Sequence, residues 1–342
     1  KSDFNFMKVL FITYSLTGNT LFVAESIGKI LKEQYGHTVT FIDAANIIKS
    51  AKFGRTHKTV SEGRILDCKE LQELRTQLAQ TDILGVGCFV SCHLPEIGFE
   101  EIFDPNVLSS DLFTNLKFFF SYTTHGSVPH PVSDVLATII NRRSKATYLG
   151  HLNVRAPENV VLLQPPQGFH DAWDDNEIAR IEPFAKNIGE QLKNPGSIKG
   201  VEFKTITNID YSMQLTMDKF AGKAQVDQSK CKKCKTCVKL CPYDAIKIGS
   251  SGFPEFDASI CLWCSRCYNK CPNEAIDFPK SYGAQRSKYP KPDFTKAGVG
   301  DGKNSKGEIM TPLPQPQEIF ARMQWKPCLN DYQGRQNCQR LT

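Results

Sequence analysis

The chain has 342 residues, of which 40% are hydrophobic and 23% charged, with thirteen cysteines and a formal net charge of +6. That length has room for two domains and a tail, and the apolar content suffices for a packed core. No run reaches the ~18–20 apolar residues that span a bilayer. The N-terminus leads from Lys1 into Met7-Lys-Val-Leu-Phe-Ile without a cleavage-site pattern, so a cytoplasmic chain is expected, with Met7 a candidate natural start.

Met7 to Tyr14 is an apolar run of the length and composition of a buried strand. Ser15-Leu16-Thr17-Gly18-Asn19-Thr20 follows, and then Leu21 to Tyr35 with helical spacing of Leu21, Ala24, Ile27, Ile30 and Leu31. A strand, a hydroxyl-rich turn with a glycine and a helix N-terminus make an anion site, because free backbone N–H groups and the helix dipole favour a phosphate there. Gly18 lets the backbone come close. A hydroxyl-rich helix cap with no ligand is the alternative. The G-K-[ST] ending of a P-loop is absent, which argues against hydrolysis of a nucleoside triphosphate.

The following segments alternate as a doubly wound α/β domain does. Thr38–Asp43 reads as a second strand, 46–65 as a polar, basic insertion and Leu66–Leu78 as a helix. Asp82–Phe89 reads as a third strand, Leu116–Tyr122 as a fourth, 132–143 as a helix and Ala146–Leu152 as a fifth strand. Asn176–Leu192 reads as a final amphipathic helix that Pro183 kinks or delays. Five strands so spaced fit the order 2-1-3-4-5, with a ligand beyond the carboxyl ends of strands one, three and four. Ile198–Tyr211 alternates apolar residues and reads as a strand-like connector. Cys68 and Cys88 read as core cysteines.

Two cysteine runs come next: Cys231-x2-Cys234-x2-Cys237-x3-Cys241-Pro242 and, thirty residues on, Cys261-x2-Cys264-x2-Cys267-x3-Cys271-Pro272. Each proline stops regular helix at its own position. Each is followed by a similar segment, with Ile246 and Ile276 as inward residues of an internal repeat. Five lysines surround the first run: Lys230, Lys232, Lys233, Lys235 and Lys239. They are either a solvated face or a docking face for anionic carriers. From Ser281 the chain is rich in proline and glycine, with ten Lys+Arg against five Asp+Glu. This tail reads as an arm packed on its own protein or as a docking arm for an acidic redox partner. Ile319–Trp325 has the length of one or two helical turns; Cys328 and Cys338 have no cluster spacing and receive no role. No aromatic–basic platform points to nucleic acid.

Both motifs carry resemblances. Thr13-x-Ser15-x-Thr17-Gly18-x-Thr20 resembles the T-x-S-x-T-G-x-T phosphate loop of flavodoxins. That resemblance implies FMN, held at Ser15, Leu16, Thr17, Gly18, Asn19 and Thr20. It also implies two ring-enclosing loops. The first holds Val90, Ser91 and Cys92; the second holds Tyr122, Thr123, Thr124, His125 and Gly126. Tyr122 reads equally as a strand-end core residue. Cys92 with His93 has a second reading as a metal ligand pair or nucleophile. The cysteine runs are those of bacterial two-cluster ferredoxins, in which the fourth cysteine of each run serves the other cluster. One [4Fe–4S] cluster would then take Cys231, Cys234, Cys237 and Cys271, and the other Cys261, Cys264, Cys267 and Cys241. Structural zinc is the rival, although zinc has no use for two triplets with crosswise fourths. Low-potential clusters go with a reducing compartment.

The order of the motifs resembles the EFR1-type flavodoxin–ferredoxin fusions of anaerobic bacteria and archaea. This implies a flavodoxin-like five-stranded domain over 7–200, a connector and α+β two-cluster ferredoxin-like domain over 201–280, and an irregular tail over 281–342. It implies electron transfer between two [4Fe–4S] clusters and FMN, to or from a partner such as a ferredoxin or an oxidoreductase complex. A flavin-dependent reductase of a quinone, disulfide or unsaturated acid is the alternative, and a redox sensor the weaker one. No acid–base constellation stands out, though His93 and His125 could serve.

Overall fold

The computed structural model describes residues 6–54, 64–91, 94–126, 129, 131–156, 175–207, 209, 211, 214 and 224–278. The tail, Cys92, His93 and Ser127, and the expectations placed on them, lie outside these residues.

Five parallel strands form one sheet in the order β2-β1-β3-β4-β5. They are β1 Lys8–Tyr14, β2 Thr38–Asp43, β3 Ile83–Phe89, β4 Phe118–His125 and β5 Thr147–Arg155. The pleat sends alternate residues of β1 into two cores. Leu10, Ile12 and Tyr14 enter one, and Val9 and Phe11 the other. The second core is closed by α1 Asn19–Glu33 and α7 Ile181–Leu192; the first by α2 Ala44–Ala51, α3 Lys69–Leu78, α4 Ile97–Ile102 and α5 Val132–Asn141. This is the expected flavodoxin-like arrangement.

Several boundaries differ from expectation. The start of the polar insertion belongs to helix α2, because Ala44, Ala45, Ile47, Ile48 and Ala51 make a buried stripe. Asp43 starts that helix by accepting a hydrogen bond from Ala45 N–H at 2.9 Å. Helix α4 was not anticipated; its six residues are too few to show a period. The last helix is divided into α6 Asp175–Ile178 and α7, and Pro183 lies in the first turn of α7, where a missing N–H costs nothing. Among the described residues the connector is not a strand. Residues 198–207 run as coil, tied by Val201 N–H to Tyr148 O at 2.8 Å and Ile206 N–H to Thr138 Oγ1 at 3.0 Å.

Residues 224–278 form a second unit with internal two-fold repetition. Strand β6 Gln225–Val226 pairs antiparallel with β9 Ile276–Asp277, and β7 Ile246–Ile248 with β8 Pro254–Phe256. Short helices α8 Thr236–Leu240 and α9 Arg266–Lys270 end just before Cys241 and Cys271, as the prolines require. Ile246 and Ile276 are buried as expected. The repeat extends to the backbone: Lys233 and Trp263, Lys235 and Ser265, and Asp244 and Glu274 all have positive φ, each pair thirty residues apart. Asp227 and Asp257 each cap their turn by accepting from the serine two residues on.

Candidate functional site: a hydroxyl-rich loop beside a buried cysteine set

Strand pairing brings the two cysteine runs together crosswise. Strand β6 precedes the first triplet and pairs with β9, which follows Cys271. Strand β8 precedes the second triplet and pairs with β7, which follows Cys241. Each triplet is thereby brought to the fourth cysteine of the other run. Cys231, Cys234, Cys237 and Cys271 line one pocket, and Cys234 is exposed. Cys241 lies within electrostatic reach of Cys261, Cys264 and Cys267, and Cys237 adjoins Cys267, so the two sets are neighbours.

Hydrogen bonds reach three of the sulfurs, while burial works against ionisation of most of them. Ala245 N–H donates to Cys241 Sγ and Ala275 N–H to Cys271 Sγ, both at 3.3 Å. Thr236 Oγ1 sits 3.3 Å from Cys234 Sγ and helps hold that thiol below its ordinary range. Burial pushes Cys237 up to about 11 and Cys261 up to about 12, and raises Cys264 and Cys267 further. Such thiols ionise only against a strong positive charge, which iron would supply when bound. Among the described residues no three His, Cys, Asp or Glu side chains gather closely enough to hold one metal ion. Ligands to the separate corners of a cubane stand farther apart than ligands of a single zinc.

The carboxyl ends of β1, β3 and β4 carry the second half of the site. Gly18 caps α1 with φ 111°, no side-chain cap is present, and the first turn holds no acidic residue. A Cβ at Gly18 would meet nothing within 4 Å, so the loop opens onto free space. Ser15, Thr17, Gly18 and Asn19 are partly exposed along it, while Leu16 and Thr20 are buried. Thr20 Oγ1 bonds Thr124 Oγ1 at 2.7 Å and fixes the start of α1 to the end of β4. These residues fit a phosphate held by N–H groups and short hydroxyls. Val90 N–H donates to Thr124 O at 2.9 Å, and Ser91 pairs with Leu94 across the next turn.

Strand β4 runs three residues past its expected end, so Thr123, Thr124 and His125 are strand rather than loop, and only Gly126 begins the turn. Thr123 is buried, donating to Asn153 Oδ1 at 2.6 Å. Tyr122 is a core residue: its side chain is fully buried beneath α1, its hydroxyl 2.5 Å from Thr13 Oγ1, and Gly87 leaves the space its ring fills. His125 is half-buried with no hydrogen-bond partner at Nδ1. Burial, with Arg155 and Arg180 nearby, pushes its imidazole down to about 4, so it is neutral at ordinary pH. Cys88 is buried core as expected, and Cys68 is half-buried against the same core.

Sequence reasoning missed the seam that joins the two halves. Tyr14, at the end of β1, is fully buried and its hydroxyl lies 2.6 Å from the hydroxyl of Tyr243, just after Cys241. Glu96 is buried beside Tyr243, accepts from Gly98 N–H at 3.0 Å, and leaves Oε1 without a partner. Burial raises its carboxyl to about 7. Lys49 donates to the last carbonyls of α8, Lys239 O at 2.7 Å and Val238 O at 3.3 Å, and pairs with Asp244 at 3.4 Å. Lys270, ending α9, donates to Thr17 O in the hydroxyl-rich loop at 3.2 Å. Gln214 staples the turn after β3, donating to Ser91 O and Pro95 O at 2.8 Å each and accepting from Ile97 N–H at 3.0 Å. One apolar core runs from Tyr14, Ile47, Ile48 and Phe99 to Cys241, Tyr243 and Trp263. No local pattern announces these contacts, because each joins residues far apart in the chain.

Residues 224–247 match the family described as 4Fe-4S binding domain. No curated protein matches the chain. Among solved structures, a flavodoxin from the domain Archaea is 14% identical, covering 55% of this chain and 100% of that one at a TM-score of 0.36. An NADH:FMN oxidoreductase in its apo form is 12% identical, covering 57% and 95% at 0.40. The NAD(P)H:quinone oxidoreductase from Methanothermobacter marburgensis is 12% identical, covering 57% and 99% at 0.34. The flavodoxin-like assignment rests on this chain's own strand order. The 4Fe-4S match over residues 224–247, with the flavodoxin-like strand order, supports an iron–sulfur cluster and a redox, electron-transfer role.

Proposed function

We propose that this chain is an electron-transfer protein of the EFR1 type, passing electrons between two [4Fe–4S] clusters and FMN, to or from a partner oxidoreductase. The observation that carries the reading is the placement of the two cysteine sets. The set completed by Cys271 faces solvent at Cys234, while the set completed by Cys241 lies at the seam next to Tyr14 and close to the hydroxyl-rich loop. Clusters carry single electrons and a flavin holds one or two, so one chain holding both links one-electron and two-electron chemistry. The chain's own residues supply the rest. Ser15 to Thr20 would hold the phosphate, Thr20–Thr124 fixes that loop, and Tyr14, Tyr243 and Trp263 exclude water from the seam.

The test is anaerobic purification followed by rapid mixing with a reduced protein donor. About eight irons per chain and one FMN are expected. In Cys264→Ser, flavin reduction by the protein donor should fall by an order of magnitude or more, while direct reduction by dithionite persists. Unchanged reduction by the protein donor in that variant would sink the reading. The partnerless Nδ1 of His125 favours a second reading, a flavin-dependent reductase of a small molecule. Turnover of a quinone, disulfide or unsaturated acid by the purified chain alone would decide for it.

A further inference from the structure

The internal repeat allows the two cysteine loops to be compared position by position. Lys233 and Trp263 are equivalent, with φ of 54° and 52°; Lys235 and Ser265 are equivalent, with φ of 60° and 55°. The backbone is therefore the same, and the side chains answer to different surroundings. In the second loop Trp263 and Ser265 are buried, and Leu262 packs against the core shared with the sheet domain. In the first loop the equivalents of Leu262, Trp263, Ser265 and Asn269 are Lys232, Lys233, Lys235 and Lys239, all exposed. One loop meets a protein partner within the chain. Its twin, around Cys234, presents the same shape to the outside with lysines in place of the apolar seam.

The charge is one-sided. From Lys230 to Lys239 there are five lysines and no acidic residue. Lys230 pairs with Asp227, and Lys233 is held by Ser251 O at 3.0 Å and by the Phe253 ring at 4.2 Å. Lys232, Lys235 and Lys239 make no ion pair among the described residues. Three unpaired cations around a solvent-facing redox site raise the local concentration of an anionic partner and speed its encounter. A second copy of this chain, itself +6, is repelled.

Resting on the electron-transfer reading above, we infer that the Lys232–Lys239 loop is the docking face for an acidic redox protein, which exchanges electrons with the chain at the Cys231, Cys234, Cys237 and Cys271 set. The test compares the full chain with the variant Lys232→Glu/Lys235→Glu/Lys239→Glu. A control, Lys29→Glu/Lys145→Glu/Lys199→Glu, changes net charge equally at exposed positions elsewhere. Iron content and reduction potentials are measured first, so that a damaged cluster is not mistaken for a lost partner. Each protein is then mixed with a reduced, strongly acidic ferredoxin and, separately, with reduced methyl viologen, a small cation. Bleaching of the iron–sulfur absorbance is followed across ionic strength.

The loop variant should lose about tenfold or more of its second-order rate with the ferredoxin at low salt, and most of its salt dependence. Its rate with the viologen should hold or rise, and the control variant should keep the ferredoxin rate within about threefold. An unchanged ferredoxin rate in the loop variant, or an equal loss in the control, overturns the docking face. The electron-transfer reading survives either result, because it is tested separately, by flavin reduction in the unmodified chain and in Cys264→Ser.

Discussion

Replacing Glu96 by Gln tests the electrostatics of the seam. The carboxyl is buried between Tyr243 and the first turn of α4, with Glu101 adding repulsion and Tyr243, Gly98 and Phe99 donating toward it. Tyr14, Cys88 and Cys264 lie within its electrostatic reach. Its pKa is raised to about 7 in the folded chain, against an ordinary 4.5. The folded state therefore binds a proton that the unfolded state has released. Stability falls as pH rises from about 4.5 to about 7, and levels off above. At about 1.4 kcal/mol per pH unit, the whole loss is about 3.5 kcal/mol, of which about 2.5 kcal/mol falls between pH 5 and pH 8. Gln mimics the protonated carboxyl at every pH and removes that loss. The difference in thermal midpoint between Glu96→Gln and the unmodified protein should thus grow from pH 5 to pH 8. At roughly 2–4 °C per kcal/mol, the growth is on the order of 5–10 °C. Both proteins are scanned anaerobically at one heating rate, so that irreversible cluster loss weighs on each alike. Other titrating groups, Glu100 among them, act in both and cancel. A difference that stays constant between pH 5 and pH 8 would refute the account, because the carboxyl would then be ionised at the seam without cost.

Two further outcomes follow from the sheet domain. Gly18→Asp places a carboxylate in the anion site, at a φ of 111° that side chains rarely adopt; flavin content measured after gel filtration should fall to near zero, and riboflavin should bind the unmodified chain far more weakly than FMN. In Gly87→Ala the new methyl would lie 2.1 Å from the Tyr122 ring and force it from the Thr13 hydrogen bond; a loss of about 2–4 kcal/mol is expected from overpacking and the broken bond together, read by denaturant titration.

Much of this protein is local in origin, and so is legible from sequence. Strands β1 and β3 announce themselves as apolar runs, the Ser15–Thr20 segment as a hydroxyl-rich turn before a helix, and the two cysteine sets by spacing that a short loop must obey. The paired positive-φ residues follow the same repeat. Pro183 delays α7 by the chemistry of one residue. What tertiary structure decided is whatever joins distant segments. Helix α2 was hidden by the polar run that follows it until its buried stripe packed on α3, α4 and β1, and Tyr122 became core because Gly87, on the neighbouring strand, makes room for it. Tyr14 and Tyr243 are 229 residues apart and share one hydrogen bond. The same tertiary packing made one cysteine loop inward and its twin outward. The two runs have the same spacing, and only the partner each loop meets, a protein core or water, assigns Trp263 to one and Lys233 to the other.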